Sequence, residues 1–118
     1  MYFIGIDISK FKHDCAVIDD SGEIVTPSWS FTNDAEGFSQ LKLLLNSLDT
    51  ETRIGLESTG HYGMNLKLFL ESNNFSFMEF NPLLINRFVK SKSLRKTKSD
   101  SIDCMMIAHY LMTVEYKP

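Results

Sequence analysis

No apolar run in this chain approaches the ~20 residues that a membrane-crossing helix needs, so none is expected. Cysteine is scarce. The two present, Cys15 and Cys104, have neither metal-ligand spacing nor a histidine pattern beside them, which excludes a cysteine-based zinc module. Each lies in an apolar stretch and reads as a buried thiol in a reducing compartment. Internal repeats and low-complexity segments are missing. No targeting leader is expected either, because the N-terminus enters a strand without a basic segment, an apolar h-region or a cleavage site. A cytoplasmic location is therefore the expectation. Net charge is only −3, from 12 basic and 15 acidic side chains, which speaks against a general polyanion binder.

What is present suffices for one folded domain over residues 1–118. The chain is 43% hydrophobic and 23% charged, as soluble globular proteins are. At this length, about two-thirds of the unfolded surface is buried on folding, enough for a real core. The small net charge conceals a segregation. Between Phe80 and Ser99 stand six basic side chains (Arg87, Lys90, Lys92, Arg95, Lys96 and Lys98) and no acid, which leaves six basic and 15 acidic residues, a balance of −9, for the rest. A basic segment on an acidic body can grip phosphate at one place, and nucleic-acid phosphates suit it. A solvated loop has the same sequence signature.

The order of elements is legible from apolar spacing. Tyr2 to Ile8 reads as a strand, Ser9 to Lys12 as a turn, His13 to Ile18 as a second strand and Glu23 to Phe31 as a third. Asp19-Asp20-Ser21-Gly22 supplies a hairpin turn, and Pro27 predicts an edge strand or a bulge. Asn33 or Asp34 can cap a helix whose apolar positions are Phe38, Leu41, Leu44, Leu45 and Leu48. Then follow a strand (Thr52–Glu57), a helix (Tyr62–Ser72), a strand (Phe75–Phe80), a short helix from Pro82 to about Val89, and a last helix from Asp100 to about Thr113 capped by Ser99. A meander followed by alternating strands and helices implies an α/β fold: a mixed five-stranded sheet with helices on both faces.

Four carboxylates carry the chemistry. Asp7 interrupts an apolar strand, where a charge is costly without a cationic partner; its bland alternative is a cap on the Ser9-Lys10 turn. Glu57 ends a strand, a place where a polar residue is as ordinary as a functional one. Asp100 and Asp103 lie three residues apart in a helical first turn, where acids also suit the macrodipole without any further role. If one fold brings the four together, they suggest a divalent metal, Mg²⁺ or Mn²⁺, and phosphodiester chemistry. Ser58, Thr59, His61 and Tyr62 follow Glu57 directly, where hydroxyls and an imidazole can position phosphate or water. Ser58 has no identifiable base. His61 reads as structural or substrate-positioning, and His13 and His109 offer no ligand pattern.

Gly5-Ile6-Asp7-Ile8-Ser9-Lys10, then Leu56-Glu57-Ser58-Thr59-Gly60-His61-Tyr62, then Asn81-Pro82, then Lys96-Thr97-Lys98-Ser99-Asp100-Ser101-Ile102-Asp103 together resemble the N-terminal domain of DEDD-type insertion-sequence transposases. That family includes bridge-RNA-guided recombinases and the pilin-gene invertase, and the resemblance covers nearly the whole chain in the right order. It implies an RNase H-like fold of the RuvC type, with Asp7, Glu57, Asp100 and Asp103 as an acidic tetrad holding divalent metal. It implies DNA recombination, a structured guide RNA in the RNA-guided branch, a homodimer or higher homo-oligomer of the full-length protein, and no membrane. The family's second, C-terminal domain carries the serine that attacks DNA. By this resemblance the present chain is a catalytic-domain fragment that folds without completing recombination. Cys104 departs from the small Ala common after the last acid.

Two other readings use the same residues. A stand-alone junction nuclease predicts cleavage of branched DNA in Mg²⁺ by this chain. A non-catalytic RNA-binding and oligomerisation domain predicts RNA retention after the acids are neutralised. RNase H-like sugar kinases share the Gly-Ile-Asp opening, but they need Gly-rich phosphate loops and a second lobe, which the sequence does not show.

Overall fold

The computed structural model describes residues 1–57, 60–92 and 103–118. Five strands, β1 (Tyr2–Ile8), β2 (Lys12–Asp19), β3 (Ile24–Thr32), β4 (Thr52–Glu57) and β5 (Met78–Phe80), form one sheet in the order β3-β2-β1-β4-β5. The β1–β2 and β2–β3 pairs are antiparallel; β1–β4 and β4–β5 are parallel. Four α-helices cover it: α1 (Ala35–Ser47), α2 (Met64–Ser72), α3 (Pro82–Ser91) and α4 (Cys104–Thr113), with a 3₁₀ turn over Gly60–Gly63. This is the mixed α/β sheet with an antiparallel meander that the pattern predicts, consistent with an RNase H-like fold.

The central strand explains the architecture. β1 has neighbours on both edges and a helical layer on both faces, so it reads as an almost unbroken apolar run. Its alternate side chains enter two cores. Ile4, Ile6 and Ile8 join Val17, Phe31, Leu41, Leu45, Leu66 and Leu70 on the α1/α2 side. Phe3 joins Ile18, Phe80, Ile85, Ile107 and Leu111 on the α3/α4 side. Met106 is buried there, with Met105 and Met112 packed against it. Gly5 faces α4 so closely that a Cβ there would overlap the Cys104 carbonyl oxygen and lie 2.5 Å from the Ala108 amide nitrogen.

Local chemistry sets the turns. Asp19 Oδ1 accepts the amides of Ser21 (2.9 Å) and Glu23 (3.0 Å), and Gly22 takes φ +82°, a left-handed geometry open to glycine. Pro27 lies on an edge strand beside a register irregularity, where its missing N–H breaks no ladder. Asp34 caps α1 by accepting the Gly37 amide at 2.9 Å and the Thr32 hydroxyl at 2.6 Å. Those bonds hold its carboxyl below the usual value.

The second and third strands lie within one residue of expectation at each end, while three elements start two or more residues later than expected. The fifth strand is shorter, Met78–Phe80 rather than Phe75–Phe80, because Asn74 (φ 63°) turns the chain out of α2 and the Phe75 amide returns to the Leu70 carbonyl at 2.9 Å. Phe75 and Phe77 pack against the core without strand pairing. The second helix begins at Met64 rather than Tyr62, after the 3₁₀ turn. The last helix starts at Cys104: Asp103 is extended (φ −112°, ψ 173°) and accepts the Met106 amide at 2.9 Å, so it caps α4 and does not lie inside it. An Asp at this position satisfies an otherwise orphaned N–H.

Candidate functional site

The carboxyl ends of β1, β3 and β4, the start of β2 and the N-terminus of α4 meet at one end of the sheet. Three of the four expected acids are described, and all three lie at this end. Asp7 projects to the α4 side, the side of Phe3 and Gly5, one residue before β1 ends. Glu57 ends β4 on the same face as Gly55, against which Leu111 of α4 packs. Asp103 caps α4 where that helix crosses Gly5. Asp100 lies outside the described residues.

Electrostatics tie these groups together. The Asp7 carboxyl is pushed up to about 6, first by burial, then by the charges of Glu57, Asp14 and Asp103. Burial likewise raises Glu57. Among the described residues neither the Asp7 nor the Glu57 carboxylate has a hydrogen-bond or ion-pair partner. Half-buried carboxylates that repel one another, with no counter-cation among the described residues, have the charge and the oxygen-only donor chemistry that suit a hard divalent ion. Among the described residues, however, no three His, Cys, Asp or Glu side chains stand as a ready metal-holding group. The three acids therefore suit a divalent ion in donor chemistry and share one end of the sheet, without forming a metal-holding group by themselves.

Asp14 was not among the expected acids. It pairs with Asp7 across the β1–β2 hairpin and accepts a short hydrogen bond from the Ser30 hydroxyl. The signal was present: a tight hairpin makes the two aspartates opposite neighbours on one face, but reading it required the register. Cys104, beside the acids, is buried, and its Sγ lies 3.2 Å from Ser28 Oγ. Burial raises its thiol pKa, so the group stays protonated and fills space as the expected alanine substitute.

The other expected residues are distributed unevenly. His61 and Tyr62 lie in the 3₁₀ turn after Glu57, at the acid end, with ring centroids 4.5 Å apart. Thr59 and Ser58 lie outside the described residues. Arg87, Lys90 and Lys92 are exposed on and just after α3. That helix leads away from the acids: Lys92 shares a surface cleft with Gly22 of the β2–β3 turn, whose flanking Asp19 pairs with Tyr2 at the opposite end of β1. Asp7 is five residues along the strand from Tyr2, or ~17 Å. Arg95, Lys96 and Lys98, in the segment that leads back to Asp103, lie outside the described residues.

His13, for which the sequence offers no ligand role, is fully buried. Its Nδ1 accepts the Ser9 amide at 3.2 Å, and burial lowers its pKa, with the nearby Asn33 side chain opposing that shift. The neutral ring thus fixes the turn that follows Asp7.

Comparison with known proteins adds the family. Residues 4–118 match the IS110-type DEDD family described as transposase. The pilin gene-inverting proteins of Moraxella lacunata and Moraxella bovis are 32% and 33% identical over 92% of this chain. A Streptomyces coelicolor protein named for the mini-circle of IS117 is 29% identical over 94% of it. The chain spans 33%, 33% and 27% of the length of these three relatives. The solved structure of an inorganic polyphosphate/ATP-glucomannokinase from Arthrobacter sp. strain KM superposes with a TM-score of 0.49 and 10% identity over 85% of this chain and 51% of that one, a likeness too slight to bear on function. Among the described residues no helix is long and apolar enough to cross a membrane.

Proposed function

We propose a function on one premise: this chain belongs to the IS110-type DEDD transposase family. It is a catalytic domain of a DNA recombinase that cleaves and exchanges strands with a divalent ion, Mg²⁺ or Mn²⁺, held by Asp7, Glu57, Asp103 and Asp100. The observation that carries this is the convergence of Asp7, Glu57 and Asp103 at one end of the sheet, where Asp7 is pushed up to about 6 by burial and by its acidic neighbours. When bound, the ion supplies Lewis-acid polarisation of a scissile phosphodiester and of the oxygen that attacks it.

The chain's own residues account for the rest. β1 and β4 are parallel neighbours in a rigid sheet, so Asp7 and Glu57 present their oxygens from fixed backbone, as precise positioning requires. Asp103 arrives on a separate element, and its free oxygen is available because the cap uses Oδ1. Ser30 orients Asp14 behind Asp7. His61 and Tyr62 flank the site on the β4 side and suit the positioning of phosphate or water, together with Thr59. Arg95, Lys96 and Lys98 precede Asp103 in sequence and suit strand phosphates. Arg87, Lys90 and Lys92 suit a more distant part of the nucleic acid. Because the chain spans only a third or less of its relatives, the proposal includes a serine-bearing second domain outside it, a guide RNA, and assembly as a homodimer or larger oligomer.

Manganese binding tests the carboxylates without requiring catalysis. In a titration followed by the spin-resonance signal of free Mn²⁺, the parent chain removes Mn²⁺ from solution at millimolar concentration. Asp7→Asn and Glu57→Gln each weaken that uptake at least tenfold. Uptake by both variants equal to that of the parent refutes this metal site.

A further inference from the structure

The turn after Asp7 carries residues that no part of the carboxylate chemistry uses. Phe11, at its tip, is 75% exposed. A buried phenyl ring would stabilise the fold; Phe11 forgoes most of that. Lys10 Nζ lies 5.1 Å from the ring centroid. Lys10 and Lys12 are both exposed, and neither has an ion-pair partner among the described residues. A solitary exposed aromatic is ordinary. This one is not solitary.

Asn33 ties it to a second pair of rings. The Asn33 amide nitrogen donates to the Phe11 carbonyl at 2.9 Å. Its side-chain Nδ2 donates to the Lys10 carbonyl at 3.1 Å and reaches the Tyr62 carbonyl at 3.5 Å. One half-buried residue thus clamps the Lys10–Phe11 turn to the 3₁₀ turn that carries the exposed rings of His61 and Tyr62, in contact at 4.5 Å and tilted by 52°. The buried His13 holds the base of the first turn through Ser9. Three exposed π-systems and two ammonium groups without an ion pair among the described residues therefore share one braced rim. Phe11 is four residues from Asp7, at most ~14 Å along extended chain. Aromatic faces alternating with cations are what unpaired nucleotides require: the rings take bases and the ammonium groups take phosphates, with little dependence on sequence. A duplex offers its phosphates but hides its base faces.

We propose that Phe11, with Lys10 and Lys12 beside it and the His61–Tyr62 pair across the rim, is a stacking platform for unpaired nucleotides of a DNA strand at the carboxylate end of the sheet. The choice of DNA rests on the function proposed above; the stacking chemistry does not.

The test is anisotropy of a fluorescent single-stranded 12-mer of thymidine titrated with the whole chain in EDTA. Removing metal separates this result from the carboxylates: failure of Mn²⁺ uptake sinks the metal reading and leaves the platform standing. Stacking one base changes affinity by roughly 5- to 150-fold, so Phe11→Ala is expected to weaken binding about tenfold or more with an unchanged melting temperature. Phe11→Trp restores binding, and its indole emission is quenched as the oligonucleotide is added. Lys10→Gln with Lys12→Gln lowers the slope of log K against log salt by about 1.4, since each phosphate contact on a single strand accounts for roughly 0.7. The proposal is overturned if the parent shows no binding, if Phe11→Ala binds within twofold of the parent, if a blunt duplex is bound equally well with the same dependence on Phe11, or if the matching RNA 12-mer is preferred.

Discussion

Asp7→Asn melts at a higher temperature than the parent in EDTA at pH 7.5 and does not respond to divalent ions. The first half follows from the site as it stands. The folded chain holds the Asp7 proton up to about pH 6, against an ordinary value of 3.8. The stability this contributes is complete below about pH 4, where folded and unfolded chains both carry the proton. It is lost as pH rises through about 6, because the folded state must then ionise a carboxyl among Glu57, Asp14 and Asp103 while the unfolded state ionised it freely. Glu57, also raised, acts in the same direction. Solvent reaches the half-buried Asp7 and screens the repulsion, so relief at neutral pH is about 1–2 kcal/mol, or roughly 4–8 °C in a domain of this size. The amide keeps the shape and removes the charge.

The second half depends on the proposed ion. For the parent, a metal that binds only the folded state adds about 2.7 kcal/mol at a hundred times its dissociation constant, which more than reverses the acid repulsion. Melting curves of parent and variant should therefore exchange order between EDTA and 10 mM Mg²⁺ or Mn²⁺. A parent whose melting temperature ignores both ions, or a variant that rises by the same amount, removes the basis for a shared cation. A variant that melts below the parent in EDTA at pH 7.5 and also at pH 5 shows instead that Asp7 holds local structure, the cap on the Ser9-Lys10 turn.

Much of this end of the molecule was legible in the sequence because β-periodicity is short and strict. Within β1, alternation alone puts Asp7 on the face opposite Ile6 and Ile8, and the apolar run around it marks a doubly covered strand. The hairpin signal Asp19-Asp20-Ser21-Gly22 and the edge or bulge at Pro27 were equally local, and both appear where the residues required them. The errors arose where two local motifs compete. Asp103 satisfies a helical first turn and an N-cap equally well by composition; the observed cap at Met106 N leaves it outside the helix. Asn73-Asn74 announced a turn, but not that its left-handed residue would keep Phe75 to Phe77 from pairing with β4. Long-range consequences were the least accessible. Lys92 belongs to the basic segment in sequence, yet α3 carries it to the Gly22 end of the sheet. Asp14 needed the β1–β2 register, and the Asn33 clamp depends on three segments whose approach no sequence spacing encodes.

Gly5→Ala removes the α4 layer from the sheet and is the most destabilising small substitution expected at this site. The added methyl would overlap the Cys104 carbonyl and come within 2.5 Å of the Ala108 nitrogen and 3.1 Å of its Cα. All three obstacles are backbone of a helix, so no rotamer change relieves them; α4 must lift as a body. Lifting it opens the core made by Ile107 and Leu111, both fully buried, and separates Asp103 from Asp7. A loss of at least ~3 kcal/mol is expected, at the upper end for overpacking, read as a lower urea midpoint. Accelerated amide exchange should be confined first to Cys104–Thr113. Gly55→Ala makes the control. Its methyl meets only side chains, the Phe80 ring at 2.7 Å and the Leu111 methyls at 3.4 and 3.5 Å, which can rotate aside at a cost of about 1 kcal/mol. If Gly5→Ala proves no worse than Gly55→Ala, α4 does not lie on β1 as closely as described. Asp103 then loses the support that holds it beside the other two acids, and a metal response in that variant would have to come from Asp7 and Glu57 alone.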